Sequence, residues 1–214
     1  EIKANMKHSN IYAENCKSLI LLNRCQLKTI VLYTYGACIG SRGPGGYATI
    51  LEYTSDNKEN VSFHKELSGG YEKTTEIRMH LMAVIKGLEA LNCICDVIIR
   101  SHSKSLVLLI ENGWAKHLKG LNWELNKGKR VQNCDLWDCL LTLCEIHNVR
   151  FEYIGNNENI ARCKASADNA MHSIQLEIDT GNIMWDPPIG IGTISFDNID
   201  RMKWALAQML QNRS

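Results

Sequence analysis

Apolar residues along this chain recur at periods that lay out its elements in order. From Leu27 to Tyr53, LKTIVLYTYGACIGSRGPGGYATILEY reads as an apolar strand and a loop containing Gly36, Gly40, Gly43, Gly45 and Gly46. A second strand follows in which apolar and polar residues alternate, so the stretch predicts a β-hairpin. In TTEIRMHLMAVIKGLEAL, Ile77, Leu81, Val84, Ile85 and Leu88 return at helical spacing, with Thr74 or Thr75 as the N-cap. DVIIRSHS predicts a short buried strand, and SLVLLIENGW a helix stopped by Gly113. NCDLWDCLLTLCEIHN is an amphipathic helix, VRFEYIG an alternating strand and ENIARCKASADNAMHS a final helix. The predicted order is strand, strand, strand, helix, strand, two or three helices, strand, helix.

Four of these blocks carry a family pattern: YTYGACIGSRGPGGYA, TTEIRMHLMAVIKGLEAL, the basic stretch ending in KRVQNCDLW, and RCK followed by a small-residue helix. In order and separation they resemble the ribonuclease HI family. The resemblance implies an α/β, RNase H-like fold over residues 27–174, with a five-stranded mixed sheet flanked by helices. Residues 1–26 are expected as an N-terminal extension and residues 175–214 as a C-terminal one. The latter closes on an amphipathic helix in which Ile199, Met202, Leu206 and Leu210 form a stripe.

The family cuts the RNA strand of RNA/DNA hybrids with Mg²⁺ ions held by carboxylates, hard oxygen ligands that also supply the charge to hold two dications together. At the positions matching those carboxylates this chain has Tyr35 before Gly36, His80 after Arg78 and Met79, His102 before Ser103, and Lys164 after Arg162 and Cys163. The exchange removes about four negative charges and adds a positive one, when each close pair of unit charges is worth about 4 kcal/mol even at an effective dielectric of ~20. The family's mobile histidine loop is represented by GNNENIA, which has no histidine. The expectation is therefore no catalytic residue, no metal and no cofactor. Zinc held by Tyr35, His80, His102 and Cys38 is the alternative, and side chains that fill and neutralise the pocket are the favoured reading. Asp168, one helical turn beyond Lys164, could share the cleft as a single carboxylate.

Between Trp114 and Val131 the chain is locally basic. Lys116, Lys119, Lys127, Lys129 and Arg130 stand against Glu124 alone, with Trp114 and Trp123 interleaved. In the family this segment is a basic protrusion that grips the hybrid's backbone, so these residues and Lys104 are the candidate nucleic-acid contacts. The family's paired asparagines after Thr75 are here Glu76 and Ile77. The Gly40 to Gly46 loop joins two strands and matches no phosphate-binding pattern, which needs a strand running into a helix.

Composition adds little globally: the net charge is +1 over 214 residues. Nine cysteines, an odd count with Cys134, Cys139 and Cys144 on one helix, favour reduced thiols and an intracellular, reducing compartment. Cys93 and Cys95 lack a second pair at zinc-finger spacing. No stretch is long or apolar enough to span a membrane. The start at Glu1 without methionine fits a processed organellar precursor.

Together these readings lead to the expectation of an inactive member of the family. Its role would be structural, bound to RNA and neighbouring proteins in a large ribonucleoprotein such as a mitochondrial ribosome, with no small-molecule substrate. The alternatives are a protein-binding module in a non-RNA complex or viral particle, and a hybrid endonuclease with relocated ligands.

Overall fold

The computed structural model describes residues 29–54, 62–125 and 129–183. Its centre is a five-stranded sheet in the order β3, β2, β1, β4, β7. The strands are β1 (Thr29–Cys38), β2 (Gly45–Thr54), β3 (Ser62–Tyr71), β4 (Asp96–Ser101) and β7 (Asn148–Tyr153). The β1, β2 and β3 strands pair antiparallel, whereas β1 with β4 and β4 with β7 run parallel. The expected mixed sheet is present, and the hairpin predicted from alternation is its β1–β2 half.

Helices cover both faces. They are α1 (Glu76–Glu89), α2 (Lys104–Glu111), α3 (Trp114–Gly120), α4 (Cys134–Ile146), α5 (Glu158–Met171) and the short α6 (Thr180–Ile183). A small ribbon of β5 (Glu124–Leu125) and β6 (Lys129–Arg130) sits between α3 and α4. Period-two alternation divides β1 between two cores, as a strand buried on both faces requires. Ile30 and Leu32 join Leu81, Val84, Leu88, Ile99, Leu106, Trp137 and Leu140. Tyr33 joins Ala48, Ile50, Ile160, Cys163 and Ala167 on the side of α5.

The glycines of the first loop play a different part from the one expected. Gly36 lies inside β1, and Gly45 and Gly46 inside β2. A Cβ on Gly36 would meet the backbone of Met79 and His80, and one on Gly46 the backbone of Ala167. These residues let helices press against the sheet. Gly40, with φ +67°, is the turn glycine of the hairpin. Gly113, at φ +71°, is left-handed and separates α2 from α3.

Residues just past the expected boundary at 174 pack on the domain itself. Glu177 bridges to β3 through Glu72 N donating to Glu177 O at 3.0 Å and Glu177 N donating to Gly70 O at 2.9 Å. Asp179 then enters the interior, accepting from Thr74 Oγ1 at 2.6 Å and from Arg78 Nε and Nη2, each at 2.7 Å. Arg78 also forks onto Asp135 at the start of α4, at 3.0 and 2.8 Å. One buried guanidinium therefore ties α1, α4 and the C-terminal strap together, with its donors met by carboxylates as burial demands. The amphipathic stretch from Asp197 onward and residues 1–26 lie outside the described residues.

Replacing Asp179 by Ala leaves Arg78, whose side chain is 3% exposed, short of one of its two carboxylates. The expected loss is about 3 kcal/mol in urea unfolding, the scale for breaking a buried pair. A change within about 0.5 kcal/mol, as for an ordinary surface substitution, would show that the strap contributes nothing.

Candidate functional site

The β1 and β4 strands lie side by side and in parallel, so their C-terminal ends open at the same edge of the sheet. Tyr35 stands near the end of β1, and His102 immediately follows β4, its backbone N–H donating to Thr34 O at 3.3 Å. Because Gly36 admits α1 to direct backbone contact, His80 arrives beside Tyr35 from the first turns of that helix. The Tyr35 and His80 ring centroids are 5.9 Å apart, edge to face, and those of Tyr35 and His102 are 5.7 Å apart. Three of the four positions singled out in the sequence are thus brought together. Lys164 is exposed on α5, one turn before Asp168.

Each of the three rings is held in a defined state. Burial, with the charges of Asp168 and Glu76, raises the Tyr35 pKa above its ordinary value, so the group remains a neutral phenol and a hydrogen-bond donor. His102 Nδ1 lies 3.2 Å from the Ile154 carbonyl. A carbonyl oxygen only accepts, so Nδ1 carries a proton, and Nε2 has its lone pair free whenever the ring carries that proton alone. His80 is buried, with Nε2 3.6 Å from Glu76 Oε1 and Nδ1 without a hydrogen-bond partner among the described residues. The neighbouring His80 imidazole lowers the Glu76 pKa, partly offset by burial.

Glu76, which stands where the family has an asparagine, pairs with His80 on the same helix face. Its i, i+4 spacing from His80 was the available signal for this pair. Cys38 does not join the site: its thiol lies 3.3 Å from Thr74 O and 3.5 Å from Gly43 O. Among the described residues no three His, Cys, Asp or Glu side chains converge as a metal site. A pair of Mg²⁺ ions, implied by the resemblance, does not fit these donors either. A neutral phenol, two imidazoles and an ammonium are poor partners for a hard cation. What the cleft offers is proton transfer and hydrogen-bond donation.

The basic segment divides on inspection. Lys104 heads α2 and is exposed, as are Lys116 and Arg130. Lys119 is committed to Asp138 at 3.3 Å and Glu145 at 3.9 Å. Lys127 lies outside the described residues, and Lys129 is placed only by its backbone in β6. Of the two tryptophans expected as nucleic-acid contacts, Trp123 is corrected. Trp123 is 6% exposed in the core, and Trp114 packs edge-on against Trp137 with centroids 5.6 Å apart. Trp123 therefore offers no face to a base, while Trp114 is half-buried. Seven cysteines fall among the described residues, all as free thiols. Among the described residues no helix is long and apolar enough to cross a membrane.

The RNase H family model matches residues 27–173. Ribonuclease H of Syntrophus aciditrophicus is 41% identical over 157 residues, covering 72% of this chain and 87% of the relative. Ribonuclease H of Trichodesmium erythraeum is 43% identical over 156 residues, covering 71% of this chain and 94% of the relative. Among solved structures, LC9-RNase H1, described as a type 1 RNase H with the type 2 active-site motif, superposes with a TM-score of 0.62 at 18% identity. That match covers 70% of this chain and 74% of the other. LC11-RNase H1 in complex with RNA/DNA hybrid gives 0.50 at 19% identity, covering 66% and 96%. Both structures share the fold.

These relatives overturn the expectation of a non-enzymatic, structural component of a mitochondrial ribosome or similar particle. They are bacterial proteins named ribonuclease H, and they align with this chain over nearly their whole length at about 40% identity.

The Glu76–His80 pair has a pH signature. Because the folded-state pKa of Glu76 is depressed, its contribution to stability is present above the ordinary value of 4.5 and is lost as pH falls through the lowered value. Thermal melts of the wild type and Glu76→Gln are expected to differ at pH 6 and to converge on acidification. A gap that stays constant through that range would dissociate Glu76 from His80.

Proposed function

The chain belongs to the ribonuclease H family, and on that premise we propose that it is a nuclease directed at RNA/DNA hybrids, cutting the RNA strand. The observation that carries this reading is identity of 41–43% with proteins named ribonuclease H, over 87–94% of their length. Exposed Lys104, Lys116 and Arg130 support it, with Lys129 beside Arg130 in the ribbon. Cations of this kind bind a nucleic-acid backbone in a salt-dependent way without reading its sequence.

Within the cleft the work falls to this chain's own side chains, and no step is routed through a metal. His102 Nε2, open while Nδ1 is held by Ile154 O, takes the proton of the attacking water as its oxygen bonds to phosphorus. The bond from phosphorus to the 3′ oxygen of the RNA strand breaks in the same displacement, and the leaving 3′ oxygen takes its proton from solvent. The Tyr35 phenol donates to a non-bridging phosphoryl oxygen as charge builds there. His80, paired with Glu76, buttresses the Tyr35 ring from the other side.

The test is a hybrid duplex labelled on its RNA strand, incubated with wild type and His102→Ala, and resolved by fragment size. Wild type is expected to shorten the RNA strand, and His102→Ala to do so about a hundredfold more slowly, the lower range for losing a general base. No shortening by wild type under any buffer or divalent-ion condition would overturn the proposal. An unchanged rate in His102→Ala would assign the cleavage to another group or a contaminating nuclease and would overturn it as well.

A further inference from the structure

Three rings stand in a row across the ends of three neighbouring strands. From Tyr35 on β1 the row passes to His102 after β4, 5.7 Å away with planes inclined by 35°. It continues to Tyr153, the last residue of β7, 6.4 Å from His102 and inclined by 29°. Both spacings lie in the range of ordinary aromatic pairs. The row opens to solvent at one end: Tyr35 and His102 are half-buried, while Tyr153 is 50% exposed, among the most exposed large hydrophobic residues described.

We propose that the row Tyr35, His102 and Tyr153 is a stacking platform for the bases of single-stranded RNA. This inference rests on the nucleic-acid reading above and adds to it a second mode of contact. A duplex hides its base faces, whereas an unpaired strand presents a π-face at every nucleotide. Lys104, exposed two residues beyond His102, places a cation beside the row for the connecting phosphates. The ligand class is therefore an unpaired stretch of RNA, bound in place of a hybrid because Tyr35 and His102 belong to both sites. Sequence preference is expected to be weak, because stacking reads aromatic area rather than hydrogen-bonding edges.

The experiment is fluorescence anisotropy with a labelled single-stranded adenine oligoribonucleotide and a base-free backbone of the same length, using the full chain. Wild type is expected to bind the base-bearing strand at least about tenfold more tightly than the base-free one. Tyr153→Ala should remove that difference and Tyr153→Phe should keep it. Tyr153 is at the surface, so the alanine variant is expected to fold, and its melting curve would verify this. Equal binding of the two strands by wild type, or a Tyr153→Ala variant that still discriminates between them, would overturn the platform. Base-dependent binding by a wild type that leaves hybrids uncut would uphold the platform while removing the nuclease reading.

Discussion

The structure of the cleft depends on the absence of one side chain. Gly36, near the end of a strand buried on both faces, leaves no Cβ between β1 and α1, and the helix backbone at Met79 and His80 occupies the place. Any larger residue would have to push the helix away from the sheet, and overpacking of this kind usually costs ~1–3 kcal/mol. Close approach brings position 80 beside position 35, while the parallel pairing of β1 with β4 supplies position 102. Gly46 does the same for α5 on the opposite face, through the backbone of Ala167.

Around that contact the interior is mostly apolar, and Arg78 is its main charged exception. Its fork to Asp135 and Asp179 fixes where α4 begins and where the chain beyond residue 176 lies against β3. A buried guanidinium fully paired with carboxylates defines geometry more than it adds net stability, because desolvation offsets much of the Coulombic gain. Arg78 is also two residues from His80 on the same helix, so the anchor steadies the cleft as well as the strap. The polar cluster and the cleft are thus two products of one helix placed tightly on one strand.

The cleft has a different chemistry from a carboxylate cage. Its groups are a phenol kept neutral by burial and neighbouring acids, an imidazole whose tautomer is set by the Ile154 carbonyl, and a second imidazole beside Glu76. Such groups hold or move protons and donate hydrogen bonds, and rings at this spacing also offer area for stacking. Two carboxylates, Glu76 and Asp168, remain close enough for their charges to bear on Tyr35, and they reach it from different helices.

By itself the sequence determined the architecture. Alternation in Thr29–Tyr53 and the 3.6-residue recurrence of Ile77, Leu81, Val84 and Leu88 specify strand and helix, because one face of each must be buried. Four ordered blocks were enough to reveal the family. Tertiary structure alone decided the roles of the polar and aromatic residues. Trp123, expected as a nucleic-acid contact, is in the core, and Trp114 packs half-buried against it; Lys119 is spent on Asp138 and Glu145; Asp179, assigned to an extension, is buried on Arg78. Tyr153, unremarked in an alternating strand, stands open at the cleft edge. The physical reason is that periodicity reports which face of an element turns inward. The partner a side chain finds there depends on residues many positions away, such as Asp179 for Arg78, which only packing of the whole chain brings together.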